Sequence, residues 1–124
     1  MAVNEIRNFY DLDAWKKTKD FVLELYKTTK DFPESELYGI TSQLRRAATS
    51  ITANIAEGFN RYHYNDKIRF YHNARGSVSE AQNFLLLAKD LYFLKVRDFD
   101  SLFCMSEDVN KLINGLIRSI EKQK

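Results

Sequence analysis

The 124-residue chain is poor in the residues that break or staple a backbone, with one proline, four glycines and one cysteine. So little Pro and Gly argues against a turn-rich β fold and for long, uninterrupted helices. Cys104 has no second cysteine to pair with and no companion thiol for a metal site. No run of the ~20 consecutive apolar residues that a membrane-spanning helix needs occurs. The opening "MAVNEIRNFYDLDAW" carries charges throughout and no apolar stretch, so no signal peptide is expected and a cytoplasmic location is the reading. Catalytic fingerprints are missing as well: there is no P-loop, dinucleotide-binding glycine pattern or glycine-flanked nucleophilic serine. His63 and His72 lie nine positions apart and share no metal-binding spacing, and neither Arg61/His63 nor Arg69/His72 meets the Arg-x4–6-His signature of HEPN ribonucleases. A non-enzymatic protein without metal or cofactor is expected.

What is present is a balanced globular composition, 44% hydrophobic and 29% charged with both signs represented. The length suits one domain over residues 1–124 with a single core. Four amphipathic patterns follow one another. The first covers about 11–31, with Asp11 as a candidate N-cap and Leu12, Trp15, Val22 and Leu25 on the inner face, until Pro33 forces a break. The second covers about 36–58, where Leu37, Ile40, Leu44, Ala48, Ile51 and Ile55 step by three or four and Gly58 marks the stop. In the third, about 66–94, Tyr71, Ala74, Val78, Ala81, Leu85, Ala88 and Tyr92 form a heptad-like seam. The fourth covers about 99–121 with Leu102, Met105, Val109, Leu112, Leu116 and Ile120 inward. Short connections between them predict an all-α, antiparallel up-down-up-down four-helix bundle. Phe84, Leu85, Leu86 and Leu87 are consecutive, and at ~100° per residue they cannot all face one core. A second buried face, hence a homo-oligomer, is expected there.

Beside the apolar stripe Ile51–Ile55–Phe59 runs a polar one, Gln43, Arg46, Ser50, Asn54, Glu57 and Arg61, within ~40° of Ser50 on the helical wheel. Charged residues there would suit a solvated face, but Ser50, Asn54 and the flanking Ala47 and Ala53 suit close contact with another helix, and a ligand site is the third reading. Satisfied buried polar groups can fix register and assembly state. The third helix offers Arg75, Ser77 and Glu80 as matching groups.

Charge is unevenly placed. Residues 37–79 hold six basic side chains, Arg45, Arg46, Arg61, Lys67, Arg69 and Arg75, against Glu57 and Asp66, a local +4 in a chain of net +2. Between 59 and 75 these alternate with Phe59, Tyr62, Tyr64, Phe70 and Tyr71. Cations attract phosphates and exposed tyrosines stack on unpaired bases, so the six are candidate nucleic-acid contacts. Against that, Tyr71 and Phe70 belong to the seam and core, leaving Tyr62 and Tyr64 free.

"FPESELYGITSQLRRAATSITANIAEGFNR" and "ARGSVSEAQNFLLLAKDL" resemble the bacterial four helix bundle protein family, some of whose members are encoded in intervening sequences of large-subunit ribosomal RNA genes and are often labelled ribosomal proteins. The resemblance covers about residues 8–120 and is most specific at Gln43–Ala47, at Asn54–Gly58, and at Gly76–Ser77 followed by Glu80. It implies a bundle assembled as a ring-like homopentamer. Through the related accessory proteins of diversity-generating retroelements it also implies nucleic acid and a reverse transcriptase as partners. Two functions follow as expectations: an accessory module for structured RNA using the six basic residues, or a protein-interaction scaffold in which those residues make ion pairs. In either, Gln43, Ser50, Asn54, Glu57, Ser77 and Glu80 form the helix-contact or subunit seam.

Overall fold

A computed structural model describes residues 5–124; the first four residues, part of the expectation about a signal peptide, lie outside it. The described residues form four α-helices and no strand. A 3-10 turn, Phe9–Asp11, leads into α1, Asp13–Thr29. Asp11 does not cap α1. Its carboxylate accepts from the backbone amides of Arg7 (3.2 Å) and Asn8 (3.0 Å), which closes the preceding turn, and α1 begins behind Leu12.

α2 starts later than periodicity predicts. A 3-10 turn, Glu34–Glu36, and one wide π turn, Leu37–Thr41, come first, and α2 itself is Ser42–Asn60. Gly39 leaves helical geometry (φ −107°, ψ −118°), while the Glu36 carboxylate accepts from the Ile40 amide at 3.3 Å. That carboxylate lies 2.6 Å from where a Cβ on residue 39 would stand, so the folded-back Glu36 fits only beside glycine. The kink turns Leu37 outward, off the inner face on which its spacing placed it.

α3, Tyr64–Asp90, ends four residues before Leu94, in a Schellman turn: the Phe93 amide donates to the Ala88 carbonyl and the Tyr92 amide to that of Lys89, both at 3.0 Å. Tyr92 takes the left-handed conformation (φ 63°) that usually falls to glycine at this position, which is why no sequence signal marked the stop. Its ring is 94% exposed and not part of the seam. α4, Val96–Gln123, begins directly after Lys95, three residues ahead of the start that periodicity gave it.

α1 packs on α2 and α4, and α3 packs on the same two. One core joins Phe21 and Leu25 of α1, Leu44, Ile51 and Ile55 of α2, Val78 and Leu85 of α3, and Leu102, Val109 and Ile113 of α4. Burying each such side chain stabilises by ~1.5–3 kcal/mol. In α4 the buried line is Ser106, Val109, Ile113 and Ile117, whereas Leu112, Leu116 and Ile120 pack at its edge. A hydroxyl holds the skipped position: Ser106 donates to the Phe103 carbonyl (2.6 Å) and accepts from Gln82 of α3 (2.9 Å). On α3, Leu85 is buried while Leu86 and Leu87 are exposed, and with Leu91 just past the helix end they form an apolar surface left uncovered by the chain's own core. No helix among the described residues is long and apolar enough to cross a membrane.

A non-glycine residue held left-handed costs ~1–2 kcal/mol. Tyr92→Gly removes that cost and no packing, so it is expected to raise unfolding stability by about 1 kcal/mol, less the entropy glycine adds to the unfolded chain. Urea denaturation checks this; an unchanged midpoint would mean that the exposed ring stabilises the turn.

Candidate nucleic-acid interface at the α2–α3 corner

The corner is set by how closely α2 and α3 approach. Ala47, Ala48 and Gly58 of α2 and Ala74, Ala81 and Ala88 of α3 are all buried. At Gly58 a Cβ would stand 2.7 Å from Tyr71 Cε1 and 3.1 Å from Phe70 Cβ, so the Tyr71 ring packs directly on the α2 backbone at a bare glycine. The polar stripe borders this contact. Ser50 and Ser77 hydroxyls lie 2.9 Å apart across the helices, and Arg46 donates to Glu80 at 2.7 Å and to Gln43 at 2.9 Å. Asn54 and Glu57 find no partner on α3: Asn54 donates back to the Ser50 carbonyl (2.9 Å), and Glu57 accepts from Arg61 (3.1 Å) at the surface. Gln43, Ser50, Ser77 and Glu80 thus share one seam inside the chain, joined by Arg46, while Asn54 and Glu57 keep to α2.

The six basic candidates divide by partner. Arg45 bridges to α1, donating to Thr29 Oγ1 (2.9 Å) and the Tyr26 carbonyl (3.4 Å) while stacking on the Tyr26 ring. Lys67 donates to the Phe59 carbonyl at 2.6 Å and so neutralises the last turn of α2, where helix carbonyls lack partners. Partial burial pushes its pKa below the ordinary lysine value by desolvating the ammonium. Arg75 points to α4, donating to Asn114 Oδ1 (2.9 Å), and to His72 Nδ1 (2.9 Å). These three hold the fold together.

Arg61 and Arg69 are different. Both guanidiniums lie 4.7 Å from the Phe70 ring centre. Their carboxylate partners, Glu57 (3.1 Å) and Asp66 (3.9 Å), are close neighbours along the chain, and all four side chains stay largely exposed. Phe70 is therefore a platform at the rim, half-buried, not a core residue as its place beside Tyr71 suggested. Next to it the connection carries Tyr62, 88% exposed, with its ring edge-on to His63 at 5.1 Å, and Tyr64 opens α3. Tyr62, His63 and Tyr64 line an open cleft of about 360 Å³. The arrangement offers cations beside exposed π faces. No group of three potential metal ligands occurs among the described residues.

The family model for the 23S rRNA-intervening sequence protein matches residues 10–115. In fold, the chain is similar to a crystal structure of a protein with unknown function from the S23 ribosomal protein family of Bacteroides thetaiotaomicron, with a TM-score of 0.78 at 23% identity, covering 85% of this chain and 95% of that one. No curated protein matches the chain in sequence.

The ring behind the corner supplies a pH test. Burial pushes the Tyr71 phenol up to about 12 from its ordinary 10. The unfolded chain therefore releases this proton first, and stability present below pH 10 is lost as pH rises toward 12, by up to roughly 3 kcal/mol. Tyr71→Phe is expected to flatten the alkaline fall in unfolding free energy relative to wild type. Parallel pH curves for the two proteins would contradict it.

Proposed function

Because the chain belongs to the 23S rRNA-intervening sequence protein family, we propose that it is a non-enzymatic, self-assembling helical-bundle protein that binds structured RNA through the α2–α3 corner. The observation that carries this is the pairing of Arg61 and Arg69 around Phe70, beside the exposed Tyr62. Exposed ion pairs between helix neighbours are worth ~0.3–0.5 kcal/mol, so a phosphate displaces Glu57 or Asp66 at small cost. Stacking of an unpaired base on an aromatic ring contributes ~1–3 kcal/mol and outweighs that cost. Arg45, Lys67 and Arg75 support the site through the fold, and Arg46 lies along α2 as a further phosphate contact that must first leave Glu80.

In this reading the helices run up-down-up-down, which accounts for α1 and α3 each packing on α2 and α4. The exposed Leu86, Leu87 and Leu91 supply the face on which copies meet, and a ring of five, as the resemblance implies, repeats the corner around one edge. Phosphate contacts then add across copies, which compensates for a net charge of only +2 per chain. The second reading, a protein-interaction scaffold, is favoured by the ion pairs that Arg46, Arg61 and Arg69 already make.

Titration against a structured ribosomal RNA fragment and a DNA duplex across a salt series separates the two. Preferential RNA binding with a log–log salt slope of several units is expected. Tyr62→Ala is expected to weaken RNA binding by on the order of tenfold without changing that slope, whereas Arg61→Glu with Arg69→Glu lowers both. No binding at low salt would leave the scaffold.

A further inference from the structure

The kink before α2 opens a cleft at the other end of that helix from the corner. It holds about 490 Å³ and is lined by Tyr26, Tyr38, Thr41, Ser42, Arg45 and Arg46 among others. Three observations set it apart from an ordinary surface groove. First, Thr41 is 3% exposed and its Oγ1 has no hydrogen-bond partner, the one buried side-chain polar atom so left among the described residues. Buried polar atoms are nearly always satisfied, so an idle hydroxyl in the lining of a cleft marks a place where something else supplies the partner.

Second, Arg45 is held in place before any ligand arrives. Thr29 Oγ1, the Tyr26 carbonyl and the Tyr26 ring fix its guanidinium through Nε and Nη2, and Nη1 is left unused. A guanidinium carries five N–H donors, and one already immobilised loses little further freedom on pairing with an oxyanion. Arg46, the next residue, uses only Nη2 for Gln43 and Glu80. Third, the Tyr38 ring stands 92% exposed at the same cleft, packed on nothing in the chain.

Two donor-rich guanidiniums, an unpaired hydroxyl and a free aromatic face are complementary to a phosphate monoester attached to a planar ring. We propose that this cleft binds a phosphorylated nucleoside, with the phosphate between Arg45 and Arg46, one of its oxygens accepting from the Thr41 hydroxyl as that buried side chain turns toward it, and the base stacked on Tyr38. The group comes either from a free nucleotide or from the 5′ end of an RNA chain. The site is distinct from the α2–α3 corner, since Arg45 lies in the first turn of α2 and Arg61 just past its last residue, sixteen positions or ~24 Å along a helix, and Arg46 is the one basic residue the two readings share.

Calorimetric titration of the whole protein with AMP, a 5′-phosphorylated RNA dinucleotide and the same dinucleotide with a 5′ hydroxyl tests it. Binding of AMP supports a free-nucleotide site. Binding of the phosphorylated dinucleotide alone supports an RNA end. Equal affinity for the phosphorylated and hydroxyl dinucleotides, or no binding by any of the three, overturns the proposal. Thr41→Val, which keeps the shape and removes the idle hydroxyl, is expected to weaken binding on the order of tenfold while melting no lower than wild type. Tyr38→Ala, at a side chain that packs on nothing, is expected to do the same. Unchanged affinity in both variants also overturns it. Arg61→Glu with Arg69→Glu is expected to leave AMP or dinucleotide affinity unchanged, so this site and the corner stand or fall separately.

Discussion

The close approach of α2 to α3 is the constraint on which the rest of this molecule depends. It is made possible by small side chains: Gly58 opposite Tyr71, with Ala47, Ala48, Ala74 and Ala81 buried along the two helices. Interiors pack at near-crystalline density, so helices that meet this closely leave no slack for an added methyl group. Two polar pairs along the contact then fall within bonding distance across it. Ser50 reaches Ser77 with two short side chains, at 2.9 Å, and Arg46 reaches Glu80 with two long ones, at 2.7 Å.

The same approach sorts the basic residues. Where a cation lies over a helix end or between helices, as Lys67 and Arg75 do, its hydrogen bonds are to groups that have no other good partner, and a ligand would have to replace them. Where it lies at the outer rim, as Arg61 and Arg69 do, its partner is an exposed carboxylate that water solvates equally well. Clustered charge along the sequence is therefore not the same as available charge. Of six basic side chains in the middle third, two flank an aromatic ring at the surface, and these define the candidate interface.

The four helices and most of their inner faces were legible because three- and four-residue spacing survives any detail of packing. Leu44, Ala48, Ile51 and Ile55 on α2 and Tyr71 through Ala88 on α3 show this. Their ends were less legible. Tyr92 closes a turn in which sequence rules look for glycine, and Gly39 makes a wide turn by letting Glu36 fold back on the Ile40 amide, a contact that spacing cannot reveal. Of the groups on α3 that the polar stripe suggested as partners, Ser77 lies against Ser50 and Glu80 pairs with Arg46, while Arg75 turns to Asn114 of α4. Which side chains would reach them was not legible. Asn54 is long enough to bond back to the Ser50 carbonyl four residues earlier, so it serves its own helix, and Arg46 takes Glu80. Phe70 was hidden for a similar reason: next to a buried tyrosine it reads as core, and only the placement of Arg61 and Arg69 shows it at the rim.

The most direct test is Gly58→Ala, measured for both unfolding free energy and RNA affinity. One methyl group placed 2.7 Å from the Tyr71 ring forces that buried ring, and the α2–α3 packing around it, to shift. A loss of ~1–3 kcal/mol in stability, together with weaker RNA binding at a substitution that touches no basic residue, is the predicted result. A variant as stable as wild type with full RNA affinity would contradict the claim that the bare-glycine contact builds the corner.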